Sequence, residues 1–350
     1  MDVSTEKYDL KKEIETVRED CLKPTRRWGR STQIWIGCLL IVISWGLYCY
    51  IHQLRAGLGV TAMRNYVSWG LYISTFVFFI GISHSGTLVS AILRITKQEW
   101  RRPITRSAEL LTFVSLLFGG IMPIIDLGRP DRLANLVIFG RIQSPLMWDI
   151  VSICTYFVGS SVFLFLPMIP DMALCRDKLT VCNTRFKKFR KRLYTFMAIG
   201  WKGTKSQWHR LEKSMTIMTI VIIPVAVSVH TVVSYIFAMT LRPGWNSTVF
   251  GPYFVAGALY SGSAGVILGM AAFRKLYHLE KYITPRHFDL MGRLVLALTL
   301  IYAYLNLNEY WIPAYKMATA EGHLLKDLFS GSYSTVFWTL QFGTVLLPII

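Results

Sequence analysis

The chain has 350 residues, 53% of them hydrophobic and 14% aromatic, with a mean hydropathy of +0.41. A water-soluble domain of this length needs more polar surface than that composition supplies, so the chain is read as a membrane protein. The formal net charge of +18 raises nucleic acid as a ligand, but the placement of the charge along the chain, given below, excludes it.

Residues 1–32 are charged and are expected to form an amphipathic or loosely ordered cytoplasmic tail. They are not read as a secretory signal, because the first apolar run is too long and lacks a small-residue cleavage site. From residue 33 to 350 the apolar residues gather into runs of roughly 20, the length a helix needs to cross a hydrocarbon core. Eight spans are predicted: 33–52, 67–93, 107–126, 145–170, 214–239, 252–273, 294–312 and 334–350. They are rich in Leu, Ile and Val without period-2 alternation, which argues for helices and against a transmembrane barrel. The fold class is therefore all-α, a polytopic transmembrane helical bundle over 33–350. The chain stops on the apolar "VLLPII", so either the last helix ends the protein or the chain is cut short.

Residues 1–32, 94–106, 171–213 and 274–293 carry 8, 5, 12 and 5 Lys+Arg, which is 30 of the 38. Basic residues concentrated in alternate connections follow the positive-inside rule and place the N-terminus and these segments in the cytoplasm. "RFKKFRKR" at 185–192 is then a topology determinant beside anionic lipid headgroups, with a docking surface for a cytoplasmic partner as the other reading. In the basic segment 171–213, the stretch "RLYTFMAIGWKGTKSQWHRLEKS" mixes aromatic and basic residues and is expected to lie as a surface helix in the membrane interface. Cys38, Cys49 and Cys154 fall in spans, and Cys21, Cys175 and Cys182 in cytoplasmic segments. With no CxxC, these cysteines alone build neither an iron–sulfur cluster nor a structural zinc site.

Polar groups inside spans are informative because each costs a few kcal/mol unless it faces the bundle interior and finds a partner. His84 and His230 lie well inside the second and fifth spans. His84 is placed slightly below the midplane and His230 about two-thirds of the way outward. Four acidic residues sit within spans or at their ends: Glu109, Asp126, Asp149 and Glu309. Asp126, Asp149 and Glu309 are expected near the outer face, and Glu109 near the inner one, where it could extend a polar path from His84. Each has a plainer reading. The histidines could bond a carbonyl or Ser on a neighbouring helix. Asp126 could meet Arg129 across the Gly-Pro turn of "DLGRPDR", and Asp149 could cap its helix. Glu309 could be an interface residue, and Glu109 could sit at the water boundary beside Arg106.

The ordered set "VSWGLYI…GISHSGTLVSAILR", "WRRPITRSAE", "DLGRP", "SPLMWD", "SVHTVVS", "RPGWNSTVFGPYFVAGALYSG" and "LEKYIT" resembles the NrfD/PsrC family of quinone-interacting membrane subunits. The resemblance runs from about residue 30 to about 312 and is nearest to the members found in alternative complex III and in menaquinone reductase complexes. It implies a helical subunit of the bacterial cytoplasmic membrane that binds a quinone or quinol, menaquinone above all, near the outer side. It implies no haem, iron–sulfur cluster or metal on this chain. The partners implied are an extracytoplasmic ferredoxin-like iron–sulfur subunit, multihaem cytochrome c and molybdopterin-type subunits, and a second subunit of the same family. The motif histidines fall on His84 and His230 and the motif aspartate on Asp149, with Asp126 and Arg129 beside the quinone, and Glu109, His84 and Glu309 are the expected proton path. Members usually carry one or two helices beyond the region matching 334–350.

Quinol oxidation releases two electrons and two protons, so each ring oxygen needs a hydrogen-bonding proton acceptor, a task suited to imidazole and carboxylate. Two other classes remain open. A haem-b anchor needs facing axial histidines at matching depth, and the estimated depths of His84 and His230 differ. A proton-coupled transporter would favour helices broken near the midplane, for which Pro123 and Pro224 are the candidates.

Overall fold

The computed structural model describes residues 15–17, 29–63, 69–178 and 187–350. Most of the expected tail 1–32, together with Cys21 and Cys182, lies outside the described residues. Among those described, the regular elements are all helical. In chain order they are α1 (Arg30–Ala56), α2 (Leu71–Ile95), α3 (Arg102–Asp126), α4 (Leu133–Ile138), α5 (Pro145–Lys178), α6 (Lys187–Met197), α7 (Lys205–Ala238), α8 (Phe250–Leu276), α9 (Pro285–Lys316), α10 (Thr319–Phe329) and α11 (Ser334–Gln341). Seven of these, α1, α2, α3, α5, α7, α8 and α9, are long and apolar enough to cross a membrane.

The helix starts follow local chemistry. Pro103, Pro145 and Pro285 sit in first turns, where a missing N–H costs nothing. Thr284 caps α9 reciprocally with His287, the Thr284 N–H donating to His287 Nδ1 at 3.0 Å. α3 stops at Gly128, whose φ of +64° an L side chain rarely adopts.

Two expectations are corrected. The eighth expected span, 334–350, holds the eight-residue α11 followed by a π turn at Phe342–Leu346. The surface helix expected within 192–214 runs instead over Lys187–Met197, and the "KSQWHRLEK" part forms the first turns of α7.

The chain divides into two compact units. One comprises α1 with Phe165–Glu212, and the other comprises Gly57–Leu164 with Lys213–Ile350. In the first, α1 exposes Trp35, Leu39, Ile41 and Trp45 along its length, as suits a helix surrounded by lipid. In the same unit, Arg176 ties the start of the α6–α7 turn to the end of α5 by donating to the Trp201 carbonyl at 3.1 Å.

The second unit is a helical bundle centred on α2. Burial covers 72% of its apolar window, against 17–39% for the unit's other candidate spans, so α2 is the helix the others pack around. Phe76, Ile80 and Leu88 of α2 meet Leu116 of α3, Tyr156 of α5 and Ile222 of α7 in one core cluster. A second cluster joins Val89 and Leu93 to Ile104 and Ala108 of α3, Val266 and Met270 of α8 and Met291 of α9. α3 and α7 run unbroken through Pro123 and Pro224. The broken-helix pattern that would favour a transporter is absent at both prolines.

Candidate functional site

The sequence "GISHSGTLVS" places Ser83, His84, Thr87 and Ser90 about one turn apart on α2, so they share a face. That face is turned into the core: each of the four is at most 2% exposed. His84 meets two carbonyl oxygens, Nδ1 lying 3.0 Å from Ile80 O on its own helix and Nε2 3.0 Å from Ala226 O on α7. Its ring stacks on Tyr156 with centroids 4.0 Å apart and touches His230 with centroids 3.4 Å apart. His230 is equally buried, both of its ring nitrogens lack a hydrogen-bond partner, and its outer side faces Phe254 of α8 at 5.2 Å.

The two imidazoles expected at different depths therefore share one site. The difference in depth that counted against haem is overturned, since the ring centroids lie 3.4 Å apart. Among the described residues no group of three or more His, Cys, Asp or Glu side chains is arranged to hold a metal ion.

From the histidines a string of hydroxyls leads along α2 toward its C-terminal end. Tyr156 Oη lies 3.0 Å from both the Ser83 carbonyl and Thr87 Oγ1. Thr112 of α3 donates to the Ser83 carbonyl at 2.9 Å and lies 3.5 Å from Thr87. One turn further, Ser90 donates to Glu109 Oε1 at 3.0 Å, while the buried Glu109 Oε2 has no partner. Glu109 is 3% exposed, so it is not the water-boundary residue that its closeness to Arg106 allowed.

Toward the other end of the same core lie Asp126 and Asp149. Each has a buried Oδ1 without a hydrogen-bond partner. Asp149 stands four residues inside α5, which starts at Pro145, so it does not cap the helix. Asp149, Ile153 and Tyr156 follow i, i+4, i+7 spacing on one face, which sets the carboxylate about 10 Å along the axis from the level of the histidine pair. Arg129 does not join Asp126. Its guanidinium pairs with Asp131 at 3.2 Å, both side chains being mostly exposed, and this bond holds the Asp131 carboxyl below the usual carboxylate range. Glu309 of α9 accepts from Ser247 Oγ at 2.7 Å, in the α7–α8 connection, away from the α2 string.

A sequence profile described as "Polysulphide reductase, NrfD" matches residues 59–350. The chain belongs to the NrfD family. One relative is a putative dimethyl sulfoxide reductase membrane subunit of Halobacterium salinarum, 29% identical over 71% of this chain and 52% of the relative. Another is a selenate reductase subunit of Mesobacillus selenatarsenatis, 27% identical over 85% of this chain and 69% of the relative. A third is the menaquinone reductase integral membrane subunit of Nitratidesulfovibrio vulgaris, 22% identical over 98% of this chain and 78% of the relative. The chain spans about half the length of the first of these. With NrfD membership and seven candidate spans, the protein is a multi-pass integral membrane protein.

Within this NrfD chain, sequence reasoning named both histidines, the carboxylates Glu109, Asp126, Asp149 and Glu309, and Arg129 as candidates, and the structure brings the two histidines together. It missed Tyr156, Thr87, Thr112 and Ser90. For Thr87 and Ser90 the signal was the turn-by-turn hydroxyl spacing beside His84, and for Tyr156 a lone phenol in the apolar "SICTYFVG".

Proposed function

We propose that the chain is the quinone/quinol-binding subunit of a multisubunit oxidoreductase in a bacterial cytoplasmic membrane. It exchanges electrons with an extracytoplasmic iron–sulfur partner, beyond which stand cytochrome c or molybdopterin-type subunits. The observation that carries this reading is the sealed His84–His230 contact with two partnerless carboxyl oxygens further along the same core. The menaquinone reductase relative, which covers nearly all of this chain, supports it.

The spacing suits the chemistry. A para-quinone ring with a hydrogen bond at each oxygen spans roughly 10 Å, close to the two-turn separation between Asp149 and the histidine level. In the quinol direction, each O–H gives its proton to an acceptor, one to the imidazole side and one to a carboxylate, and the two electrons leave for the partner. In the quinone direction the same groups return the protons. The α2 hydroxyl string to Glu109 gives the imidazole side a route for proton exchange toward the cytoplasm. Asp126 and Asp149 serve the outer side, and Glu309 lies outside both routes.

His84→Ala and Asp149→Asn each leave the complex assembled and lower quinol-dependent electron transfer at least tenfold, on the order of 1.4 kcal/mol in the barrier. Steady-state turnover of the purified complex checks this, and unchanged turnover in both variants removes these residues from the site.

A further inference from the structure

Outside the histidine core, a cavity of about 280 Å³ opens between α2, α8 and α9. Gly81, Phe250, Tyr253, Phe254, Ser261 and Tyr302 are among the residues that line it. Three phenol rings form one wall. Tyr302 stacks on Tyr253 with centroids 5.2 Å apart and on Tyr260 at 5.4 Å, both nearly parallel. Phe78, also on the lining, is 57% exposed, so the mouth of the cavity lies on the apolar outer surface of the bundle.

The polar atoms of this wall are unbalanced in one way. Asn306 Nδ2 donates to Tyr253 Oη at 2.9 Å, and Tyr253 and Tyr302 share a hydrogen bond at 3.0 Å. Whichever phenol donates in that bond, the other keeps an O–H proton with no acceptor in the trio. An apolar aromatic slot with one spare donor recognises a flat ring bearing a carbonyl oxygen. Its volume sits at the low end of small-molecule pockets, roughly 300 Å³ and upward, which admits one bicyclic ring and excludes a dinucleotide.

The slot also adjoins the proposed site. Phe254 lines the cavity and lies 5.2 Å from the His230 ring, and Gly81 lies one turn before His84 on α2. We propose that this cavity is a second quinone-ring position, an antechamber between the lipid and the histidine core, in which the tyrosine pair holds one carbonyl oxygen and Phe254 forms the partition. The inference rests on the reading of the chain as a quinone-binding subunit.

The test uses a short-chain 2-methyl-1,4-naphthoquinone analogue and the intact complex purified through this subunit. Trp245, whose ring lies 5.7 Å from Phe250, reports ring binding by fluorescence quenching. The double variant Tyr253→Phe with Tyr302→Phe weakens analogue binding about tenfold and raises KM for quinol with kcat retained, because a lost hydrogen bond to a buried ligand carries that magnitude. Ser261→Phe, which fills the slot from its rim, has the same effect through a different residue. Unchanged binding and unchanged KM in both, with His84→Ala still lowering kcat, overturns the antechamber and leaves the proposed function standing. Absence of analogue binding by the unaltered complex overturns both.

Discussion

His84 faces a donor shortage that its own chemistry can relieve. A neutral imidazole carries one N–H, yet both ring nitrogens lie 3.0 Å from carbonyl oxygens, so one carbonyl faces a lone pair. Taking up a second proton turns that repulsion into a hydrogen bond. The two carbonyls concerned belong to Ile80 and Ala226, the residues four before His84 and His230, so each is also the helical acceptor for one histidine's backbone N–H. Two positive rings in contact would repel strongly in a low dielectric, so the pair disfavours a second charge. On the proposed route toward Glu109, Tyr156 is the first hydroxyl: its ring stacks on His84 and its Oη bonds Thr87 Oγ1. Tyr156→Phe leaves the Ser83 carbonyl bonded to Thr112, so the bundle loses only about 1 kcal/mol in stability. Proton exchange slows several-fold, and Glu109→Gln, which keeps an acceptor for Ser90, slows it likewise without weakening quinone binding. Stopped-flow proton release with a pH dye, read beside analogue binding, checks both. Equal loss of binding and proton release would return these residues to a packing role. The histidines were legible in the sequence because imidazole is rare in a membrane span, whereas Tyr156 and Thr87 are ordinary there and acquire meaning only from the hydrogen bond that joins them across α5 and α2.

The helices around α2 approach closely because of two glycines. A Cβ at Gly86 would overlap Thr112 Oγ1 and the Ala108 carbonyl of α3, and one at Gly262 of α8 would overlap Ser85 Cβ. Beside Gly262 the seam is hydrogen-bonded, Ser85 Oγ lying 3.0 Å from Ser263 Oγ and donating to the Leu259 carbonyl at 3.1 Å. Small residues with a few hydroxyls are how helices adhere where lipid removes the hydrophobic drive. Gly86→Val and Gly262→Val therefore cost about 1–3 kcal/mol or more through overpacking, seen as a lowered Tm or lost assembly in detergent. Gly269→Ala on α8, where an added Cβ meets nothing within 4 Å, is tolerated, and equal destabilisation by it would sink the account. At this scale the sequence showed which segments are helices but not where they end. α7 starts nine residues before its expected span, at Lys205 rather than 214, because a helix continues into water once its apolar stretch is finished. His84 and His230 were set apart by depths counted from span ends, yet their rings touch. The short α4 and α10 were missed because neither carries an apolar run long enough to register against a membrane-spanning period.

Over the whole molecule the charge distribution and the carboxylates make one linked statement about sidedness. Basic residues crowd the connections α2–α3, α5–α7 and α8–α9, and an excess of Lys and Arg holds a loop on the cytoplasmic side. On that rule the ends of α3 and α5 carrying Asp126 and Asp149 are expected on the outside and Glu109 on the inside. Under the proposed function, the same assignment puts the docking surface of the electron partner on the outer side. Single cysteines at Ser206, exposed at the start of α7, and at Gln143, exposed before α5, separate the two orientations in a cysteine-free background. In intact cells a membrane-impermeant maleimide labels Gln143→Cys and spares Ser206→Cys until the membrane is opened. The reverse pattern would place both aspartates and the partner in the cytoplasm and would overturn the outward-facing electron route, while the geometry of the histidine pair would be unaffected. The expected result does not depend on the basic stretch of α6 alone. Replacing Lys188, Lys191 and Arg192 by Gln weakens the bias at the α5–α7 connection alone, and the other basic connections keep the orientation, so labelling at Gln143→Cys persists.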